Sequence, residues 1–225
     1  MKNIYVADLT LRVLKEEGKK VLFTGTPCQI GGLYSYLNKD YDNLITQDII
    51  CHGVPAPKIW EDYINYLEVR YKSTIVKACF RDKRFGWHGA KETFKFANGK
   101  EVVRYTSNML YFTGKSMRES CANCKFTTQG RVGAITIADY WGIEEFSPET
   151  YTPLGVSVVL ANNPKGEKLV YHMKQRANIK QRPIAEQLKH QKRLSEPVKY
   201  PYFREEFWQD LRVNGFDYVM NKYVY

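Results

Sequence analysis

The chain has 225 residues, 44% of them hydrophobic and 26% charged, a size and balance that suit one large or two small globular domains and exclude disordered or fibrous classes. The formal net charge of +10 fits a partner of opposite sign: nucleic acid, a phosphorylated cofactor or an acidic protein. No apolar run approaches membrane-spanning length, and Met1-Lys2-Asn3 leads into an amphipathic stretch rather than a signal peptide, so no membrane span and a cytoplasmic location are expected.

Val6, Leu9 and Val13 recur at helical spacing before Gly18, which predicts a helix over about residues 5 to 17. Val21-Leu22-Phe23 reads as a buried strand, Thr24-Gly25-Thr26 as a turn, and Pro27 as the first residue of a helix whose face is Ile30, Leu33, Tyr34 and Leu37. A second strand runs from Leu44 to Ile50, and Pro57 opens a helix carrying Trp60, Tyr63, Ile64 and Leu67 on one face. Two successive β-α units predict a parallel, right-handed crossover. Further on, Asn98-Gly99 between two alternating runs predicts a hairpin with a type I′ turn. Ala134 to Ala138 and Val156 to Ala161 read as strands, Pro164 opens a helix around Leu169 and Met173, and Phe203, Phe207 and Leu211 mark a final amphipathic helix. The expected fold class is α/β: a mixed, mainly parallel sheet flanked by helices, with an antiparallel hairpin insertion and a helical C-terminal extension. The expected division is an α/β domain over residues 1–175 and a basic helical extension over 176–225.

Five cysteines without a secretory signal point to thiolate or metal chemistry rather than a disulfide framework. Cys28 and Cys51 each follow the carboxyl end of a predicted parallel strand, where α/β proteins build their sites. Cys121 and Cys124 form a C-x-x-C turn, which presents two sulfurs to one centre, and the four together supply the thiolates of a cubane cluster. Cys28 also falls in the first turn of its helix, whose amides can donate to cluster sulfurs. Structural zinc held by the same four cysteines is the rival, although zinc usually draws on two knuckles and only one is present. Cys79, in the strand-like stretch Ile75 to Phe80, reads as a core thiol.

The segments Val21-Leu-Phe-Thr-Gly-Thr-Pro-Cys-Gln29, Cys51-His-Gly-Val-Pro-Ala-Pro57, Phe80-Arg-Asp-Lys83 with Gly86-Trp87, Ser120-Cys-Ala-Asn-Cys-Lys-Phe126 and Ile135-Thr-Ile-Ala-Asp-Tyr-Trp-Gly142 together resemble the beta subunits of coenzyme F(420) hydrogenases and dehydrogenases, chiefly their C-terminal domain. The resemblance runs from about residue 4 to 175. It implies a 4Fe-4S cluster on Cys28, Cys51, Cys121 and Cys124 beside a flavin. In that family FAD exchanges hydride with a deazaflavin, coenzyme F(420) being the substrate, while the cluster relays single electrons to a redox partner; plant and cyanobacterial relatives reduce chlorophyll derivatives. Cofactor contacts are expected from Thr26, Arg81, Lys83, Trp87 and Asp139. The family usually carries an upstream ferredoxin-like part and a glycine-rich stretch that this sequence lacks, so that part, or a second polypeptide, is an expected partner in any oxidoreductase activity.

Other residues have two readings. Arg81, Lys83 and Arg84 before Gly86-Trp87-His88 form either an anion clamp or a solvated loop. His52 is a proton carrier or packs behind Cys51. Asp139 and Trp141 border the cofactor or complete a cap. The basic run from Lys174 to Arg193 docks an acidic partner or is a solvated face. It is poor in aromatics, which argues against nucleic acid. The competing function is a zinc-stabilised binding module with a basic surface for nucleic acid or an acidic protein.

Overall fold

A computed structural model of the chain describes residues 13–15 and 18–225. The helix predicted over residues 5 to 17 lies outside the described residues except for residues 13–15, which are helical. The described chain divides into two compact units: the first takes the residues up to Cys51, Lys125–Tyr151 and Val156–Glu196, and the second takes His52–Cys124, Thr152–Gly155 and Pro197–Tyr225.

The first unit is built on a four-stranded sheet. Its β1 (Val21–Thr24) and β2 (Leu44–Ile49) pair in parallel from Val21↔Leu44 to Thr24↔Gln47. The crossover between them is α1 (Pro27–Leu37). Pro27 stands at the first helical position, where a missing N–H costs nothing. The Gln29 side chain reaches back to accept the Thr26 N–H at 2.8 Å, half of a capping box. Asn38 ends the helix in the left-handed conformation (φ 51°), which asparagine tolerates. The face predicted from periodicity is the buried one: Leu33 and Leu37 pack with Leu14, Tyr41 and Leu44. The parallel pairing expected from the β-α succession is thus present, and after β2 the chain enters the second unit. The chain returns as β6 (Ile135–Asp139), parallel to β2, and β7 (Ser157–Ala161) adds an antiparallel edge, giving the order β1-β2-β6-β7. Helices α4 (Ile143–Phe146), α5 (Pro164–Met173) and α6 (Ile184–His190) complete the unit.

The second unit holds a three-stranded antiparallel sheet, β3 (Ile75–Cys79), β4 (Glu92–Phe96) and β5 (Glu101–Arg104), with α2 (Pro57–Tyr71), α3 (Thr106–Phe112) and α7 (Arg204–Tyr223). Its core brings Ile59, Tyr63 and Leu67 of α2 together with Phe94 and Phe96 of β4 and Phe207, Leu211, Val219 and Met220 of α7. Within α7 the helical path breaks at Gly215 (φ 81°, ψ 176°), a conformation open to glycine. The Tyr63 hydroxyl donates to buried Glu92 at 2.9 Å, and burial pushes that phenol well above its ordinary range. The β4–β5 hairpin forms where Asn98-Gly99 predicts it, with a different turn. The Phe96 N–H donates to the Lys100 carbonyl, the Gly99 N–H donates to the Phe96 carbonyl, and Gly99 alone has a positive φ (85°). This is a three-residue loop with glycine at the left-handed position, whereas type I′ needs positive φ at both central residues. Cys79 ends edge strand β3 half-buried rather than in the core. The architecture is therefore the α/β class read from the sequence: a mixed, mostly parallel sheet, an antiparallel hairpin and a C-terminal helix. No helix among the described residues is long and apolar enough to cross a membrane.

One buried ion pair organises the first unit. Asp48, in the middle strand β2, is fully buried and accepts from Arg131 Nη2 at 2.9 Å and from the Gly133 N–H at 3.0 Å. Arg131 also donates to the carbonyls of Ile49 and Phe126, each at 2.9 Å, and to Thr136 Oγ1 at 3.2 Å. Removing one partner strands a buried charge, so Asp48→Ala or Arg131→Ala is expected to cost about 3–5 kcal/mol. The double replacement Asp48→Leu with Arg131→Met should cost clearly less than the two single losses together. Urea unfolding of the three variants checks this; additive losses would mean that the pair is not the organising contact.

Candidate metal centre

Cys28 occupies the second helical position of α1 and is exposed. Its Sγ lies 3.1 Å from Thr26 Oγ1, so the cap residue touches the thiol as well as the helix end. Cys51 follows β2, whose last rung is carried on by the Ile50 N–H donating to the Ile137 carbonyl at 3.2 Å. Both belong to the first unit.

Cys121 and Cys124 belong to the second unit. Cys121 closes a 3-10 turn (Glu119–Cys121), and its Sγ accepts the Val54 N–H at 3.4 Å. This contact follows from a short zipper. Pro55 bridges Met117, the Ala56 N–H donates to the Ser116 carbonyl and the Arg118 N–H to the Val54 carbonyl. Gly53 makes the approach feasible: its φ is +130°, and a Cβ there would run into Met117 Sδ and meet Cys121 Cβ at 3.6 Å. The Tyr111 hydroxyl donates to the Gly53 carbonyl at 3.2 Å. His52 lies against the rings of Tyr111 and Phe112, at 5.2 and 5.4 Å between centroids, an aromatic setting that favours its packing role.

Beyond Cys124 the chain rejoins the first unit, and Phe126 seats its ring on α1 at Gly31, where a Cβ would come within 2.6 Å of the ring. Sequence reading overlooked Gly31, Gly53 and the Asp48–Arg131 pair. Asp48 carried a usable signal, being a carboxylate within a strand that alternates into a core and so in need of a buried partner.

The four cysteines are thiols, none in a disulfide, and none is fully buried. Among the described residues no three His, Cys, Asp or Glu side chains are gathered as a group that could hold a metal ion. The donor set itself fits an iron–sulfur cluster: four thiols from three stretches of chain, one already accepting an amide N–H of the kind that tunes cluster sulfurs.

The expected cofactor contacts are distributed likewise. Thr26 and Asp139 lie in the first unit, and Arg81, Lys83 and Trp87 in the second. Asp139 ends β6, and its carbonyl accepts from Gln191 Nε2 at 2.5 Å. Trp87 is only 1% exposed, its ring pressed on Gly155, where a Cβ would come within 2.8 Å. Lys83 Nζ donates to the Leu154 carbonyl at 2.8 Å. Arg84 pairs with Asp82 and Glu101 at 2.5 and 2.7 Å and holds the Asp82 carboxyl well below the usual range. Arg81 is exposed.

A family model for the C-terminal part of the coenzyme F(420) hydrogenase/dehydrogenase beta subunit matches residues 18–187. The chain belongs to this family. The match takes in all four cysteines, Thr26, Asp139 and the Arg81–Trp87 turn. No curated protein sequence matches the chain. Membership of the coenzyme F(420) hydrogenase/dehydrogenase beta-subunit family points to an oxidoreductase role and, since a beta subunit is one component of an assembly, to a partner subunit.

The two adjacent glycines of α1 give a paired test of the Phe126 seat. Gly31→Ala is expected to destabilise the protein by about 1–3 kcal/mol through overpacking against that ring. Gly32→Ala, with nothing within 4 Å of its added Cβ, should stabilise the helix by up to about 1 kcal/mol. Thermal or urea unfolding reads both signs; equal effects would remove the seat from the description of the site.

Proposed function

We propose that the chain is the iron–sulfur electron relay of a flavin-linked oxidoreductase, with Cys28, Cys51, Cys121 and Cys124 ligating a 4Fe-4S cluster. The observation that carries this reading is a pair of anchors close to the cysteines in sequence. In the first unit Phe126, two residues after Cys124, is seated on Gly31, three residues after Cys28. In the second, the amide of Val54, three residues after Cys51, donates to Cys121 Sγ. Covalent reach of about 3.3–3.6 Å per residue then limits how far each cysteine can stray from its anchor.

A cluster so ligated supplies one-electron transfer, the complement of a carrier that moves electrons in pairs as hydride. The protein's share is to hold the ligands and their surroundings. The Val54 N–H places positive density at Cys121 Sγ, and the positive end of the α1 dipole does the same at Cys28. FAD is the proposed flavin and coenzyme F(420) the proposed hydride-carrying substrate. Thr26 and Asp139 in the first unit and Arg81 and Lys83 in the second are the proposed contacts, Trp87 serving from within its core. A redox partner protein, or a ferredoxin-like part supplied by a second polypeptide, accepts or delivers the single electrons.

Anaerobic reconstitution with iron and sulfide tests the reading. The expected product is brown, bleaches with dithionite and carries about four iron and four sulfide per chain. Serine in place of Cys28, Cys51, Cys121 or Cys124 should each lower the iron content, while Cys79→Ser should leave it unchanged. Denaturation of protein incubated with FAD should release flavin. Colourless protein with stoichiometric zinc, or iron content indifferent to the four serine variants, would overturn the assignment.

A further inference from the structure

The first unit contains a second feature, independent of the cysteines: a slot of about 810 Å³ along the outer edge of β7. One wall is β7 with its flanking residues Val156 and Asn162, and the other is a strap of residues 178–183 running without regular structure between α5 and α6. The volume falls in the range of specific binding clefts. The strap is fastened rather than loose. Arg182 donates to the Phe146 carbonyl at 2.7 Å and to Glu186 at 2.8 Å, and Tyr140 donates to the same glutamate.

The direction of β7's backbone groups follows from its pairing. The Tyr140 N–H donates to the Val156 carbonyl and the Asn162 N–H to the Ala134 carbonyl, so residues 156, 158, 160 and 162 turn their peptide groups toward β6. In an antiparallel ladder the alternate residues turn the other way. Ser157, Val159 and Ala161 therefore present N–H and C=O groups to the slot. Among the described residues no backbone hydrogen bond joins them to the strap. At the base lies Gln187, 2% exposed, near the Tyr140 hydroxyl, and neither its amide nitrogen nor its amide oxygen completes a hydrogen bond. A strand edge and a buried carboxamide both ask for a ligand that offers donors and acceptors at peptide spacing.

Charge narrows the ligand further. From residue 165 to 182 the chain carries Lys165, Lys168, Lys174, Arg176, Lys180 and Arg182 against one acid, Glu167. Of these, Lys174, Lys180 and Arg182 line the slot, and Lys174 is exposed and makes no ion pair among the described residues. We infer that the slot receives an extended, acidic peptide segment of a partner protein, added to β7 as a fifth strand and held by the cations beside it. The inference stands whether or not the cysteines hold a cluster.

The test uses the full chain and fluorescence anisotropy with a labelled octapeptide of alternating Glu and Val. The Glu/Val peptide is expected to bind, and a Lys/Val counterpart at least about tenfold more weakly, with Lys174→Glu plus Lys180→Glu weakening the Glu/Val peptide by a similar factor. Val159→Pro removes one outward N–H from the edge and should also abolish binding. Because that variant can fail to fold, the backbone contribution is read separately by N-methylating the peptide at alternate residues. One alternate set should abolish binding and the other should preserve it. Equal tolerance of both methylated sets, equal affinity for the Glu and Lys peptides, or binding of free glutamate but not of the peptide would overturn the inference.

Discussion

A carboxylate buried in an inner strand of the four-stranded sheet is the constraint on which the first unit depends. Asp48 has no access to water, so its charge must be met by a charge and its lone pairs by donors. Arg131 does both, and because a guanidinium is a rigid planar fork, satisfying the carboxylate also fixes where its remaining donors point. They reach the carbonyl of Ile49, the carbonyl of Phe126 and the hydroxyl of Thr136. One ion pair thereby ties together the end of β2, the loop entering from Cys124 and the start of β6. Asn162 extends the network by donating to the Gly133 carbonyl and to Thr136.

This bears on the topology. β2 and β6 are hydrogen-bonded neighbours, yet the chain between them builds most of the second unit. The entropy of closing so long a loop grows only with the logarithm of its length, but the two ends still have to be brought into register. Bonds from the Arg131 side chain and the Gly133 amide to residues 48 and 49, immediately beside the ladder, set that register where strand pairing of three rungs would be weak alone. A parallel sheet, which is usually assembled from consecutive crossovers, here accepts a large insertion at one seam.

Local signals in the sequence reached the elements and stopped at their partners. Apolar runs, prolines at first helical positions and the Asn98-Gly99 dipeptide identify β1, α1, β2, α2, the hairpin and α7, because each depends on residues within one or two turns of one another. The departure of α2 into a second unit is not visible in this way, since a helix returning to its own sheet and one founding another have the same amphipathic pattern. The hairpin turn went astray by one residue: Asn-Gly satisfies either loop type, and the pairing of Phe96 with Lys100 decides between them. Trp87 illustrates the limit at the candidate site. A tryptophan after a basic turn reads equally as a cofactor face or a core residue, and only the short return at Thr152–Gly155, brought against it from far along the chain, buries it. The cysteines stand out in the sequence by residue type and spacing alone, whereas the glycines and aromatics beside them act only through long-range contacts.

Those glycines separate this arrangement from a small metal-folded module. In such modules the bonds to the metal are the fold, and the apo chain has little else to hold its ligand loops. Here each cysteine-bearing stretch has a fastening of its own. The stretch before Cys51 is tied by Asp48 and Arg131, the stretch after Cys124 by Phe126 on Gly31, and the turn at Cys121 by the Gly53–Pro55 zipper. Two of the three fastenings omit cysteine sulfur altogether, and the third engages it only through an amide hydrogen bond. In the cluster reading proposed above, segments held by packing and buried charge need no metal to keep their places. Under that same proposal, such a division of labour suits a centre that must keep its geometry while gaining and losing an electron.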